Sequence, residues 1–371
     1  MKFIDLNRQY EAYKEELDQA VMEVMASGQF ILGKAVEDLE NTLSQYVGSR
    51  FGIGVSSGTD GLMLALMAYN VGPGDEVITT PFTFIATAEV ISFLGAVPIF
   101  VDIDPETYNI DVGSLRETIA SRKKQGAKLK GIIAVSLYGQ CADMDEINEI
   151  ARQEGLFVIE DGCQSFGATY KSRRSCGLSH VGVTSFFPSK PLGCYGDGGM
   201  VFTDDEDVAE TIKALRVHGQ KKRYLHERIG LNARFDAIQA VIVGVKFRHF
   251  DKEVAMRQNA AAVYDDLFRE KDVEVVTPKV KEDRTSVYAQ YTIALPEEIR
   301  DMVQESLNKA SIPTAIHYPM ALHMQPPFKH LGQGPFPNAE KASRQVLSLP
   351  MHPFITAEEQ ELVVDAVVKA F

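Results

Sequence analysis

Short apolar runs alternate with segments of helical period through the first two thirds of the chain, and this limits the fold more than any other feature. The runs "DEVITTP", "VPIFVDID", "GIIAVSLYG", "LFVIEDG", "VTSFFPS" and "GGMVFTDD" read as strands. Between several of them lie helical patterns such as "GLMLALMAYN" and "DMDEINEIARQEG". Continuous apolar strands that alternate with helices predict an α/β fold whose largely parallel central sheet is covered on both faces. Ligands of such sheets bind beyond the carboxyl ends of the strands. The polar residues at those ends are therefore the candidates for chemistry.

From Asp236 to Arg269 the pattern predicts one or two long helices. After it, "VYAQYTIAL", "DMVQESLNKA" and "PTAIHYP" predict a smaller α/β lobe. The 371 residues are enough for two domains, expected at 1–245 and 246–371, with the N-terminal segment packing on the smaller one. No apolar run reaches the length of a membrane span, and the opening "MKFIDLNRQYEAYKEEL" is too polar for a secretory signal, so a cytoplasmic location is expected. A net charge of −13 argues against a nucleic-acid partner, which needs a broad basic face, but leaves room for a local anion site. The four cysteines, Cys141, Cys163, Cys176 and Cys194, show no CxxC pairing and read as reduced thiols, with no metal site expected.

Four stretches carry candidate chemistry. "GQFILGKA" nearly matches a nucleotide-binding loop through Gly28, Gly33 and Lys34, but Ala35 lacks the hydroxyl that would hold magnesium, and a helix rather than a strand precedes it. In "VSSGTDGL", Gly58 and Thr59 open a helix whose free N–H groups favour an anion; taken alone, a plain helix cap explains it as well. In "LFVIEDGCQSFGA", Asp161 ends a strand and Gln164 follows, a pattern that also fits a cap. In "TSFFPSKPLGCYGDGGM", Lys190 ends another strand, and glycines from Gly193 to Gly199 suggest close turns with left-handed backbone. Together, an anion cradle, a strand-end carboxylate and a strand-end lysine suit a cofactor with a phosphate, a basic ring nitrogen and an aldehyde. Pyridoxal 5′-phosphate has all three.

The motifs "SSGTDGL", "PFTFIATAE", "EDGCQSFGA", "SFFPSKPLGCYGDGG", "GLNARFDAIQA" and "HYP" resemble, in this order and over nearly the whole chain, the DegT/StrS-type nucleotide-sugar aminotransferases. The resemblance implies the pyridoxal-phosphate-dependent aspartate-aminotransferase-like fold (fold type I). It implies that Lys190 bonds covalently to the cofactor and later moves protons, that Asp161 partners the pyridine nitrogen and that Gln164 lies near the ring hydroxyl. Gly58, Thr59 and Ser185 match the phosphate cradle. Phe84 matches a ring that stacks on the cofactor, with a core phenylalanine as the plainer alternative. Asn232 matches an asparagine that reaches the neighbouring subunit's phosphate, which implies a homodimer with shared active sites. Arg234, His317 and Tyr318 match the sugar pocket. A branch of the family with histidine at the lysine position performs dehydration; Lys190 sets this chain with the transaminases.

Within the family, "SLYGQCADMDEIN" and "VYAQYT" are most similar to bacterial enzymes that aminate UDP-2-acetamido-2-deoxy-3-oxo-glucuronate at C3 for surface polysaccharide (lipopolysaccharide, O-antigen) synthesis, with L-glutamate as donor. The basic stretch holding Arg216, Lys221, Lys222, Arg223, Arg228 and Arg234 is compatible with a diphosphate and a sugar carboxylate, or is simply a solvated loop. The alternatives are amination at C4 of a UDP- or dTDP-4-keto sugar, and a non-catalytic regulatory protein that keeps pyridoxal phosphate as a ligand.

Overall fold

The computed structural model describes residues 1–371. Helices α1 (Leu6–Ser27) and α2 (Lys34–Val47) lead into β1 (Phe51–Val55) and α3 (Gly58–Ala68). There follow β2 (Glu76–Thr79), α4 (Ala86–Phe93), β3 (Val97–Phe100), α5 (Val112–Lys124), β4 (Leu129–Val135), α6 (Met144–Glu154) and β5 (Phe157–Asp161). A small hairpin, β6 (Thr169–Tyr170) and β7 (Arg173–Arg174), precedes β8 (Val181–Ser185), β9 (Gly199–Thr203) and α7 (Glu206–Leu215). A second hairpin, β10 (Gln220–Lys222) and β11 (Leu225–His226), runs into α8 (Ala237–Lys271). The chain then forms β12 (Tyr291–Ala294), α9 (Glu297–Lys309), α10 (Pro326–Lys329), α11 (Pro337–Gln345), β13 (Val346–Leu349) and α12 (Ala357–Val368).

The large sheet has seven strands in the order β1-β9-β8-β5-β4-β2-β3. Strands β3, β2, β4, β5 and β8 are parallel, and β9 lies antiparallel between β8 and β1. The expected mostly parallel sheet is thus present, with "GGMVFTDD" as its reversed strand. Side chains alternate between two cores. Val158, Ile132 and Phe202 pack into the one that includes α2 and α6, and Ile159, Ile133 and Val201 into the one under α3 and α4. Pairing of Asp161 with Val135 on one side and Val183 on the other brings the carboxyl ends of β4, β5 and β8 to one rim. No helix is long and apolar enough to cross a membrane.

Residues 237–271 form a single helix of 35 residues rather than two. Ala240, Val243, Phe250 and Val254 join the first core, while Ala260, Ala261, Tyr264 and Phe268 join a separate one with β12, β13 and α12. The N-terminal helix lies on α8 through Tyr13 and Leu17 against Ile242 and Val245. It also reaches the C-terminal elements, where Arg8 forks onto Glu359 at 2.8 and 2.6 Å. "VYAQYTIAL" is a strand only from Tyr291, because Tyr288 adopts a left-handed φ of 45° that ends the extended run. The near-match to a nucleotide loop dissolves: Gly28 caps α1, Gly33 starts α2, and Lys34 pairs with Asp38 at 2.7 Å.

The glycines after Lys190 differ from expectation. None of Gly193, Gly196, Gly198 and Gly199 has positive φ. They are small because neighbours press on them. A Cβ on Gly198 would lie 2.5 Å from the Phe235 ring, and one on Gly199 would lie 2.6 Å from the Ser57 carbonyl carbon. Overpacking of this kind costs about 1–3 kcal/mol. Gly198→Ala should therefore lower unfolding stability by that amount in a urea titration; an unchanged midpoint would contradict the packing.

Candidate active site

The site is built at the sheet rim from three chain crossings. At the first, Ser57 caps α3 by accepting from the Asp60 N–H at 3.0 Å. The amides of Gly58 and Thr59 follow in the first turn, where no intrahelical acceptor exists. A Cβ on Gly58 would fall 2.7 Å from Cys163 Sγ and 2.9 Å from Ser185 Cβ. The start of α3, the loop after β5 and the end of β8 therefore converge on one point, and only glycine lets them meet. Ser185 is half-buried, and its Oγ accepts from the Phe187 N–H at 3.2 Å.

The second crossing holds Asp161, the last residue of β5 and only 6% exposed. Its Oδ2 accepts from Thr87 Oγ1 of α4 at 2.9 Å and its Oδ1 from the Cys163 N–H at 3.2 Å. Both partners are neutral, so the buried carboxylate has no cationic neighbour bonded to it. Next to it, Glu160 points to the opposite face and is fully buried. Ser175 Oγ at 2.7 Å and the Cys176 N–H at 2.9 Å satisfy it, and burial pushes its pKa up to about 7.

The third crossing joins the C-terminal elements to the rim. Gln164 accepts from the Tyr138 N–H at 2.9 Å and donates through Nε2 to the Tyr318 hydroxyl at 3.1 Å. The Tyr138 hydroxyl donates to the His317 carbonyl. His317 Nδ1 meets Ser348 Oγ at 2.9 Å. Phe84 is 56% exposed, with its ring centroid 6.5 Å from that of Tyr318, so it is not a core phenylalanine.

Lys190 does not end a strand. β8 stops at Ser185, and Lys190 sits in the following turn with its N–H donating to the Phe187 carbonyl at 2.8 Å. Its ammonium is close enough to both Cys163 and His317 to bear on their protonation. Lys190, Asp161, Gln164, Gly58, Ser185, Phe84, His317 and Tyr318 are thus linked through shared neighbours, and Thr59 belongs to the same helix start.

Asn232 and Arg234 lie on the strand-like segment before α8, which touches the rim through the Ser56 N–H on the Ala233 carbonyl at 3.2 Å. Asn232 is exposed, and Arg234 Nε is buried without a partner. The basic stretch does not act as one cluster. Arg216 is buried and bound to Glu40 Oε1 at 2.6 Å and the Gly54 carbonyl at 2.7 Å, while Lys221 pairs with Glu227 at 3.2 Å on the exposed hairpin. Thr87 and Tyr138 lie inside quoted motifs without standing out in the sequence, and Cys163 reads there only as a reduced thiol. Their partners are fixed only by the fold.

Burial, reinforced by the charge of Lys190, lowers the His317 pKa to about 4. An unfolded histidine takes its proton near pH 6.5. Between these values the unfolded chain binds the proton that the folded one refuses, so this group makes stability fall as pH drops from 6.5 towards 4, by up to roughly 3 kcal/mol. In an NMR titration the His317 ring should stay neutral above pH 5, and a midpoint near 6.5 would contradict its half-buried setting.

The sequence pattern of the DegT/DnrJ/EryC1/StrS aminotransferase family matches residues 11–368. The chain is 48% identical over 363 residues, covering 98% of both proteins, to UDP-2-acetamido-2-deoxy-3-oxo-D-glucuronate aminotransferase of Pseudomonas aeruginosa. It is 45% identical over 371 residues, covering 99% of this chain and 98% of the relative, to a pleiotropic regulatory protein of Geobacillus stearothermophilus. The crystal structure of S. venezuelae DesV in complex with a ketimine intermediate superposes with a TM-score of 0.93 at 35% identity, covering 99% of this chain and 97% of that one.

Proposed function

The chain belongs to the DegT/DnrJ/EryC1/StrS aminotransferase family, and from that premise we propose that it transfers the amino group of L-glutamate to C3 of UDP-2-acetamido-2-deoxy-3-oxo-glucuronate. The reaction would use pyridoxal 5′-phosphate and serve bacterial surface polysaccharide synthesis in the cytoplasm. The observation that carries the reading is Asp161: a buried carboxylate with only neutral partners, on the same rim as a lysine and a glycine cradle.

The residues fit the cofactor. Asp161 lacks a cation, which a protonated pyridine nitrogen supplies. The start of α3, packed at Gly58 against Cys163 and Ser185, would offer its first-turn amides to a phosphate, with the Thr59 and Ser185 hydroxyls to support them. Gln164 would lie near the ring hydroxyl, and the exposed Phe84 ring is free to stack. When bound, pyridoxal phosphate supplies an electron-accepting ring that stabilises negative charge on the carbon that loses a proton.

Lys190 is the residue that would bond to the cofactor aldehyde. Once displaced by glutamate, its Nζ would take the proton from the amino acid's α-carbon, and in the second half-reaction return a proton to C3 of the sugar. His317, held neutral by burial, does not compete as a cation for the substrate's anionic groups. His317, Tyr318 and Arg234 would line the sugar pocket, with Arg234 reading the sugar carboxylate in the planar, forked way that suits guanidinium. The division into lobes would fall within α8, so that the first lobe carries the cofactor groups and the second brings His317 and Tyr318 to the sugar. Asn232, exposed and distant from Lys190 in sequence, would serve the phosphate of a second subunit in a homodimer.

The regulatory name borne by one relative supports a second reading, in which the protein binds the cofactor without turnover. Turnover by the wild-type protein separates the two, and the role of the lysine is tested by Lys190→Ala. It should reduce amino transfer by at least about 10²-fold, measured as 2-oxoglutarate released from glutamate, and full activity in this variant would sink the role of Lys190. Purified protein given glutamate and a panel of 3-keto and 4-keto UDP- and dTDP-sugars should aminate the 3-keto uronate, read by mass spectrometry. Exclusive amination of 4-keto sugars, or of none, would overturn the proposed substrate.

A further inference from the structure

The mechanism leaves unused a lysine buried in α8. Lys246 is 2% exposed, and its Nζ donates to the Gly193 carbonyl at 2.8 Å while lying 4.0 Å from the centre of the Tyr195 ring. Its polar contacts are thus a carbonyl and a ring face rather than a carboxylate. Burial pulls its pKa down to about 8, against the opposing attraction of Glu253 two turns further along the helix. A methionine of similar length would fill the same space without an ammonium to desolvate, so packing alone does not account for lysine here.

What the ammonium holds is the segment that carries Lys190. This segment folds back on itself: the Lys190 N–H donates to the Phe187 carbonyl at 2.8 Å, and the Cys194 N–H to the Phe186 carbonyl at 2.7 Å. Gly193 is wedged between, since a Cβ there would lie 2.6 Å from the Pro188 carbonyl oxygen. A second residue of α8 grips the same segment. Gln239 accepts from the Tyr195 N–H at 2.8 Å through Oε1. Residues 239 and 246 are two turns apart on one face of a helix. They hold Gly193 and Tyr195 from the same rigid support.

We propose that Lys246, with Gln239, is a positioning residue that clamps the turn after β8 onto α8 and so fixes where the Lys190 amine stands relative to Asp161. The clamp rests on the transaminase reading of Lys190. Its effect on rate follows from geometry, since an amine that must meet a reacting carbon loses rate steeply when its backbone wanders. The ends of the clamp are neutral acceptors and donors of the turn's own backbone, so its work is orientation and not proton transfer.

The test uses the full-length chain with Lys246→Met, and Gln239→Leu as an independent second variant. In the cofactor-free protein, hydrogen exchange of peptides covering 186–196 should quicken at least about tenfold in Lys246→Met, with peptides of β4 and β5 unchanged. With cofactor, kcat should fall about tenfold or more while the KM for glutamate stays within about threefold. Unchanged exchange and kcat in the folded variant, or exchange quickened uniformly along the whole chain, would overturn the clamp. Should Lys246→Met fail to fold, local quickening in Gln239→Leu supports the clamp and its absence overturns it. Absence of turnover in the wild type would instead sink the transaminase reading, and the exchange measurement would still decide the clamp.

Discussion

A carboxylate taken out of water without a cation is among the least tolerated features of a protein interior, and Asp161 is such a group. It ends β5, whose five residues are all buried, and is answered only by one hydroxyl and one amide. Glu160, one residue earlier, is also buried with partners of the same kind. It has its own hydroxyl and amide, its pKa rises to about 7, and it faces the opposite side of the sheet. Asp161 instead faces the rim, where Cys163, whose N–H it accepts, packs against Gly58, and a cationic ring nitrogen would complete it.

The rest of the architecture serves that placement. The parallel register sets the end of β5 level with β4 and β8, so that loops from three strands reach one volume. Helix α4 brings the Thr87 hydroxyl to Asp161, and the close approach at Gly58 brings the start of α3 against Cys163 and Ser185. The C-terminal elements close the far side through Tyr318 and His317, which are tied to Gln164 and to the Tyr138 loop. Helix α8 spans both cores and grips the Lys190 turn from below, which makes it a common support for the two sides of the site.

Much of this was legible in the sequence where the information is local. "LFVIEDG" and "GIIAVSLYG" announce buried parallel strands because every residue of their cores is apolar, and the polar residue at the end of the first marks the rim. Lys190 stood out against its neighbours, although the pattern could not separate the strand from the turn after it. The direction of β9 was not legible, since an apolar run carries no sign of its neighbour's polarity. Long-range partners were hidden for a similar reason. Arg216 looked like one of several loop cations until Glu40, far away in sequence, was found bound to it. Thr87 and Lys246 look like ordinary helix residues until the fold brings Asp161 and Gly193 beside them. The glycines after Lys190 announced an unusual backbone, but crowding rather than handedness is what demands them.

The central claim is that Lys190 is the amine that holds the cofactor whose ring nitrogen Asp161 would partner. Reduction of the pyridoxal-phosphate-loaded protein with borohydride, followed by peptide mass mapping, tests it directly. A single modified lysine at position 190 is the expected result. Modification confined to another lysine, such as Lys34 or Lys246, or no modification at all, would contradict it.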